Sequence, residues 1–128
     1  MRKVLLVSGG DIERGGVQNF LVQWIKMASQ SDLEFVWYCL GKVTDVSYAN
    51  NLKQFHVRII AGNHREKSNI KRYFCLSSDL YSIFKNEYFD IIHVNTGGIN
   101  VQTIAICVAN YYKINFSTNG INGSYYDI

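Results

Sequence analysis

The sequence predicts an α/β protein: a doubly wound parallel sheet with helices on both faces. Short β-branched or aromatic runs alternate with helical patterns along the whole chain, and the connections between them are short. The first run, Val4-Leu5-Leu6-Val7, opens through Gly9-Gly10 into an amphipathic segment. Alternation of this kind favours a parallel sheet, because each crossover helix covers one face of it. Right-handed crossovers then wind the sheet both ways and leave a ligand crevice at the carboxyl ends of the strands.

The 128 residues amount to one domain, large enough for a real core, with 48% apolar and 18% charged residues. Residues 3–8 read as a buried parallel strand. Val17, Phe20, Leu21, Trp24, Ile25 and Ala28 recur at helical spacing up to Ser29, and Asp32 sits in the turn that follows. Residues 33–39 form a second strand. Tyr48 to Phe55 reads as a short helix leading to strand Val57–Ile60. A long helix runs from Asn69 to Lys85, carrying Ile70, Phe74, Leu76, Leu80, Ile83 and Phe84. Residues 90–94 make a fourth strand, Asn100–Tyr111 a helix around Ile104, Ala105 and Val108, and Ile114–Thr118 a fifth strand. The Gly- and Asn-rich stretch 119–124 reads as the lead into a further helix, so the sheet is expected to be incomplete at its C-terminus. Cys39, Cys75 and Cys107 lie in apolar surroundings outside any Cys-x-x-Cys spacing, which predicts buried free thiols. No His or Cys stands at ligand spacing, so no metal is expected.

A strand, a Gly-rich turn and a helix in that order aim the free N–H groups of a first helical turn at an anion. Gly15 and Gly16 would let backbone and ligand approach without a Cβ between them. The alternative is a tight turn with no ligand. Two better-known phosphate loops are near misses. Gly10 to Gly15 has Walker spacing, but Gly16-Val17 stand where Lys and Ser/Thr are needed for phosphate and magnesium. No Gly-x-Gly-x-x-Gly window exists, and the second strand ends Tyr38-Cys39-Leu40-Gly41 without the acidic residue that holds a ribose, which disfavours NAD. The loop also lacks a Ser/Thr cluster for a flavin phosphate.

Three segments resemble the N-terminal domain of family 4 retaining glycosyltransferases of the GT-B fold, particularly bacterial enzymes of surface polysaccharide and glycolipid synthesis. They are Arg14-Gly15-Gly16-Val17-Gln18, then Tyr88-Phe89-Asp90-Ile91-Ile92-His93-Val94-Asn95, then Ile114-Asn115-Phe116-Ser117-Thr118-Asn119. The resemblance implies that residues 1–128 form a single Rossmann-like, acceptor-side domain, with the donor-binding C-terminal domain absent and the chain inactive alone. It implies a nucleotide-diphosphate sugar as substrate, with no cofactor, and a lipid-linked or glycan acceptor. Gly15 and Gly16 would lie beside the donor diphosphate, and Gln18, Asn95 and Asn119 would face the acceptor. His93, Ser117 and Thr118 are the candidates for work at the reacting sugar. The chain departs from the family pattern twice: Asn95 replaces the second His of the fourth strand, and Ser117 or Thr118 stands where the family commonly has a His. A hydroxyl can bind a sugar but does not exchange a proton near neutral pH. The rival reading is a non-catalytic module, a degenerate half-enzyme that pairs with a separate C-terminal domain.

The net charge is only +3, but Arg65, Lys67, Lys71 and Arg72 gather around the start of the long helix. Lys67, Lys71 and Phe74 have the i, i+4, i+7 spacing of one helix face. By resemblance this segment touches an anionic membrane surface, at about 1 kcal/mol per basic residue; the alternative is a solvated helix start. Few basic residues and no binding motif argue against nucleic acid. No apolar run approaches the roughly 18–20 residues needed to span a bilayer, and the stretch after Arg2-Lys3 is too short for a signal peptide. A cytoplasmic protein, peripheral at the inner membrane face, is expected.

Overall fold

The computed structural model describes residues 2–12, 22–23, 25–26, 33–64, 66–96, 98–119 and 125–127. Its strands are β1 (Arg2–Ser8), β2 (Leu33–Cys39), β3 (Val57–Ala61), β4 (Ile91–Thr96), β5 (Asn115–Asn119) and β6 (Tyr125–Asp127). The helices are α1 (Val46–Lys53), α2 (Asn69–Asn86) and α3 (Gly98–Tyr111), and residues 22–23 and 25–26 are helical as well. The strands form one sheet in the order β3-β2-β1-β4-β5-β6, the first five parallel and β6 antiparallel to β5. This is a Rossmann-like α/β sheet. Residues 125–127 therefore pair at a sheet edge, where a further helix was expected. The Gly/Asn stretch 120–124 lies outside the described residues.

Apolar side chains on both sides of the strands explain the two covered faces. On one face Leu5, Val7, Val36, Tyr38, Ile92, Val94 and Phe116 pack under Leu76, Leu80 and Phe84 of α2 and Val101, Ala105, Val108 and Ala109 of α3. On the other, Val4, Leu6, Phe35, Trp37 and Val57 pack under Tyr48 and Leu52 of α1, with Val22 and Ile25. β1 lies between β2 and β4, and the chain reverses its direction of winding there.

Local chemistry sets the ends of the elements. Asp45 caps α1 by accepting from Tyr48 N–H at 3.0 Å, so the helix starts two residues before Tyr48. It ends at Lys53, and His56 takes a positive φ of 60° in the turn to β3. Asp90 is bound to Lys3 through its carboxylate (2.8 Å) and its backbone N–H (2.9 Å), and β4 begins one residue later.

Two core assignments are corrected. Ile70 and Phe74 are 72% and 73% exposed. The buried stripe of α2 runs Leu76, Leu80, Phe84, and Phe74, two residues before Leu76, falls about 160° round the helix from it. Of the cysteines only Cys39 is buried; Cys75 is half-buried and Cys107 exposed, because Val108 and Ala109 already occupy the inner face of α3.

Candidate functional site

β1, β4 and β5 carry buried polar side chains, His93 and Ser117 within their strands and Ser8 and Asn95 toward the carboxyl ends. Ser8, His93, Asn95 and Ser117 are all buried there. Pairing sets Leu6 beside His93 and His93 beside Ser117. Strand alternation then points His93 and Ser117 away from Ile92, Val94 and Phe116, which face the opposite core. His93 Nδ1 and Ser117 Oγ lie 2.7 Å apart, a buried hydrogen bond. Ser8 Oγ accepts from Trp37 Nε1–H at 2.8 Å, so the last side chain of β1 is held by its neighbour on β2.

Between β1 and β4 the register slips. Val7 faces Val94, but Ser8 faces Thr96, leaving Asn95 as the extra residue. A bulge of this kind re-aims a strand end. It falls at the topological switch point, where open α/β sheets take their ligands.

Beyond Ser8 the chain stays paired with the continuation of β2. Ile12 N–H donates to Lys42 O (3.0 Å), Thr44 N–H to Ile12 O (3.1 Å) and Gly41 N–H to Gly10 O (3.0 Å). Asp11 Oδ1 accepts from Lys42 N–H at 2.9 Å. A Cβ on Gly41 would overlap the Asp11 carboxylate, so glycine is required by the closeness of the two segments. Burial, and then the Asp11 charge, push the Cys39 thiol up to about 11, which keeps it protonated and unreactive near neutral pH.

The expected site residues divide as follows. His93 and Ser117 meet, and Asn95 is buried two residues further along β4. The backbone of Thr118 and Asn119 continues β5, Thr118 opposite Val94. Gly15, Gly16, Gln18 and Arg65 lie outside the described residues. Lys67 precedes the Ser68 N-cap, so the helical spacing drawn through Lys67, Lys71 and Phe74 begins two residues before the helix does. Lys67 Nζ reaches back to Cys75 Sγ at 3.5 Å. Lys71 is exposed, whereas Arg72 is half-buried, bonded to Asn69 Oδ1 and set over the Tyr73 ring. Among the described residues no group of His, Cys, Asp and Glu could hold a metal ion, and no helix is long and apolar enough to cross a membrane.

A second polar cluster escaped the reading of the sequence. At the carboxyl ends of β2 and β3, Asp79 Oδ2 accepts from Tyr38 Oη–H (2.6 Å) and lies 2.9 Å from His64 Nε2. Burial, followed by the bond to Asp79 and its charge, drives the Tyr38 phenol far above the usual tyrosine range. Gly62 leaves the room: a Cβ there would sit 2.6 Å from Tyr38 Oη. Residues 38, 64 and 79 come from a strand, a loop and a helix, and no local spacing relates them.

The solved structures that share this fold include two from archaea. One is the C-terminal domain of a hydrogenase from Pyrococcus furiosus, with TM-score 0.57 and 11% identity over 91% of this chain and 90% of that one. The other is the UDP-GlcNAc 2-epimerase from Methanocaldococcus jannaschii, with TM-score 0.55 and 9% identity. The match covers 91% of this chain but 30% of the epimerase. At these identities the likeness is one of fold. No protein-family model matches the sequence, and no curated protein matches it.

Proposed function

We propose that this chain is the acceptor-side domain of a nucleotide-sugar-dependent glycosyltransferase that builds a bacterial surface polysaccharide or glycolipid, inactive without an opposing donor-binding domain. The observation that carries the reading is the buried polar patch Ser8, His93, Asn95 and Ser117 at the β1/β4 switch point, in a sheet otherwise packed with apolar side chains. A core gains nothing from polar groups at that depth unless they are bonded to one another or to a ligand. Hydroxyl, imidazole and amide groups together suit a sugar, which offers hydroxyls in several directions. One of the fold neighbours is named for a UDP-linked sugar, the substrate class this reading requires.

In this reading Gly15 and Gly16 approach the donor diphosphate, and the helix that follows supplies positive potential without a metal. Gln18, Asn95 and Asn119 face the acceptor. The Ser117 hydroxyl holds His93, whose ring then presents a fixed edge to the reacting sugar; Thr118 is the neighbouring hydroxyl. Lys67 and Lys71 touch an anionic membrane that carries a lipid-linked acceptor.

Titration of isotope-labelled chain with UDP-, GDP- and ADP-sugars at millimolar concentration tests the reading. Amide shifts clustered at Ser8–Asp11 and His93–Asn95, and weakened by Gly16→Val, are expected. Shifts at the opposite end of the sheet, or none with any donor, would sink it.

A further inference from the structure

At the amino ends of β4 and β5, just past the last turns of α2 and α3, the surface holds an open hollow of about 300 Å³. Phe84, Tyr88, Tyr112 and Ile114 give it an apolar lining, and Lys85, Asn86 and Glu87 a polar one. Its Tyr112 ring is fixed in advance: it lies 5.6 Å from the buried Phe84 ring at 31° and meets Tyr111 edge to face at 5.0 Å. Tyr88, by contrast, stands 72% exposed. Asn86 Nδ2–H donates to Ser82 O at 2.8 Å, which holds the amide in place and leaves its Oδ1 as an acceptor. No glycine turns the chain at the end of α2, where Glu87 is already extended (φ −151°), so the last carbonyls of the helix open onto the hollow.

We propose that this hollow binds a neutral oligosaccharide, as a carbohydrate site separate from the carboxyl ends of the strands. The mixed lining is the first argument. A pyranose ring has a face of C–H groups and a rim of hydroxyls. An aromatic ring packs on the face, because its π electrons attract the slightly positive hydrogens. Amide, carboxylate and ammonium groups bind the rim as acceptors and donors. Tyr88 and Tyr112 supply the rings here, and Asn86, Glu87 and Lys85 the rim groups. Charge is the second argument. A cation would meet Lys85, and it would find Glu87 already bonded by Lys3 Nζ and the Arg58 guanidinium. An anion would meet the carbonyl end of α2, equivalent to about half a negative charge. A wholly apolar ligand would strip water from the polar lining and give nothing back. A polyol with an apolar face incurs none of these costs. The volume lies at the lower end for small-molecule sites, with room for about one or two sugar rings, and the open side lets a longer chain continue. A nucleotide sugar fits poorly, since its diphosphate would meet the same helix end, so this site and the transferase reading are tested by different ligands.

Titration of the labelled chain with short neutral oligomers of glucose, galactose, mannose and N-acetylglucosamine tests the site. With at least one of them, amide shifts are expected at residues 84–88 and 111–114 and not at Ser8–Asp11. Tyr88→Ala, at an exposed position, should weaken that binding about 10-fold with unchanged circular dichroism. Tyr88→Phe should stay within about twofold of wild type, since the ring and not the hydroxyl packs on the sugar. The wild-type shift map is a readout that needs no variant. Absence of shifts at these residues with every oligomer overturns the proposal. So do shifts that Tyr88→Ala leaves unchanged, or a response of the same residues to spermidine or inorganic phosphate that equals the response to sugar.

Discussion

Gly41 and Asp11 occupy nearly the same space, and this is where a single atom has the largest effect. Gly41→Ala forces the Asp11 carboxylate off the Lys42 N–H and crowds Gly10 O, which a Cβ would approach to 3.0 Å. A cost of about 1–3 kcal/mol is expected from urea denaturation. In an Asp11→Ala background the same substitution should cost clearly less, and equal costs in the two backgrounds would mean that the carboxylate is not the obstacle. Ser117→Ala removes the hydroxyl from His93 Nδ1 and leaves a buried imidazole nitrogen one bond poorer. About 1–2 kcal/mol of stability should be lost, and the His93 ring nitrogen shifts should change in NMR. Unchanged ring shifts would break the pairing described for the site. Of these residues His93, Asn95 and Ser117 were singled out in the sequence because two strand segments that resemble a known family carry them. Asp11, Trp37, Asp79 and His64 were not, since their partners lie between 15 and 41 residues away in the chain.

At the level of elements, the phase of α2 and its C-terminal anchor make separate predictions. Leu80→Ala opens a cavity in the buried stripe and should cost about 2–5 kcal/mol. Phe74→Ala, on the exposed stripe, should change stability by no more than about 0.5 kcal/mol. Similar costs for the two would mean that the helix is rotated. Just beyond α2, Glu87 ties β1 to β3 through Lys3 Nζ (2.5 Å) and the Arg58 guanidinium. Its partial burial alone would raise the carboxyl, but hydrogen bonds from Lys3 and Arg58, and then their charges, hold it below the ordinary glutamate value. The folded value therefore lies below the unfolded one. The stabilisation is present above the unfolded range, near about 4.3, and drains away as pH falls through the folded value. Urea midpoints should show Glu87→Gln weaker than wild type at neutral pH, the gap closing in acid. A gap that persists below the carboxylate range would assign the effect to packing instead.

At the scale of the whole chain, the glycosyltransferase reading makes this sheet one wall of a cleft. A donor on that wall alone keeps most of its surface in water, where fixed dipoles are worth little. In the glycosyltransferase reading, the chain incubated with nucleotide sugars and lipid-linked acceptors should yield neither product nor donor hydrolysis above background. Turnover by these residues alone would mean that a complete site lies within them.

Periodicity and composition were enough for the α/β alternation and the five parallel strands, because those depend on the pattern of neighbours along the chain. Element ends shifted by one or two residues where bonds outside the periodic pattern fix them, as the Lys3 backbone does at Asp90 and the Asp45 cap does at α1. Exposure of Ile70, Phe74 and Cys107 lay beyond local reading. An apolar residue at helical spacing is buried only if a neighbour covers it, and the two sheet faces were already filled by Leu76, Leu80, Phe84, Val108 and Ala109. The antiparallel pairing of β6, the register slip at Asn95, and the meeting of Tyr38, His64 and Asp79 were decided by tertiary structure alone. Each depends on where a distant segment comes to lie, and hydrogen-bond geometry between segments leaves no periodic trace in the chain.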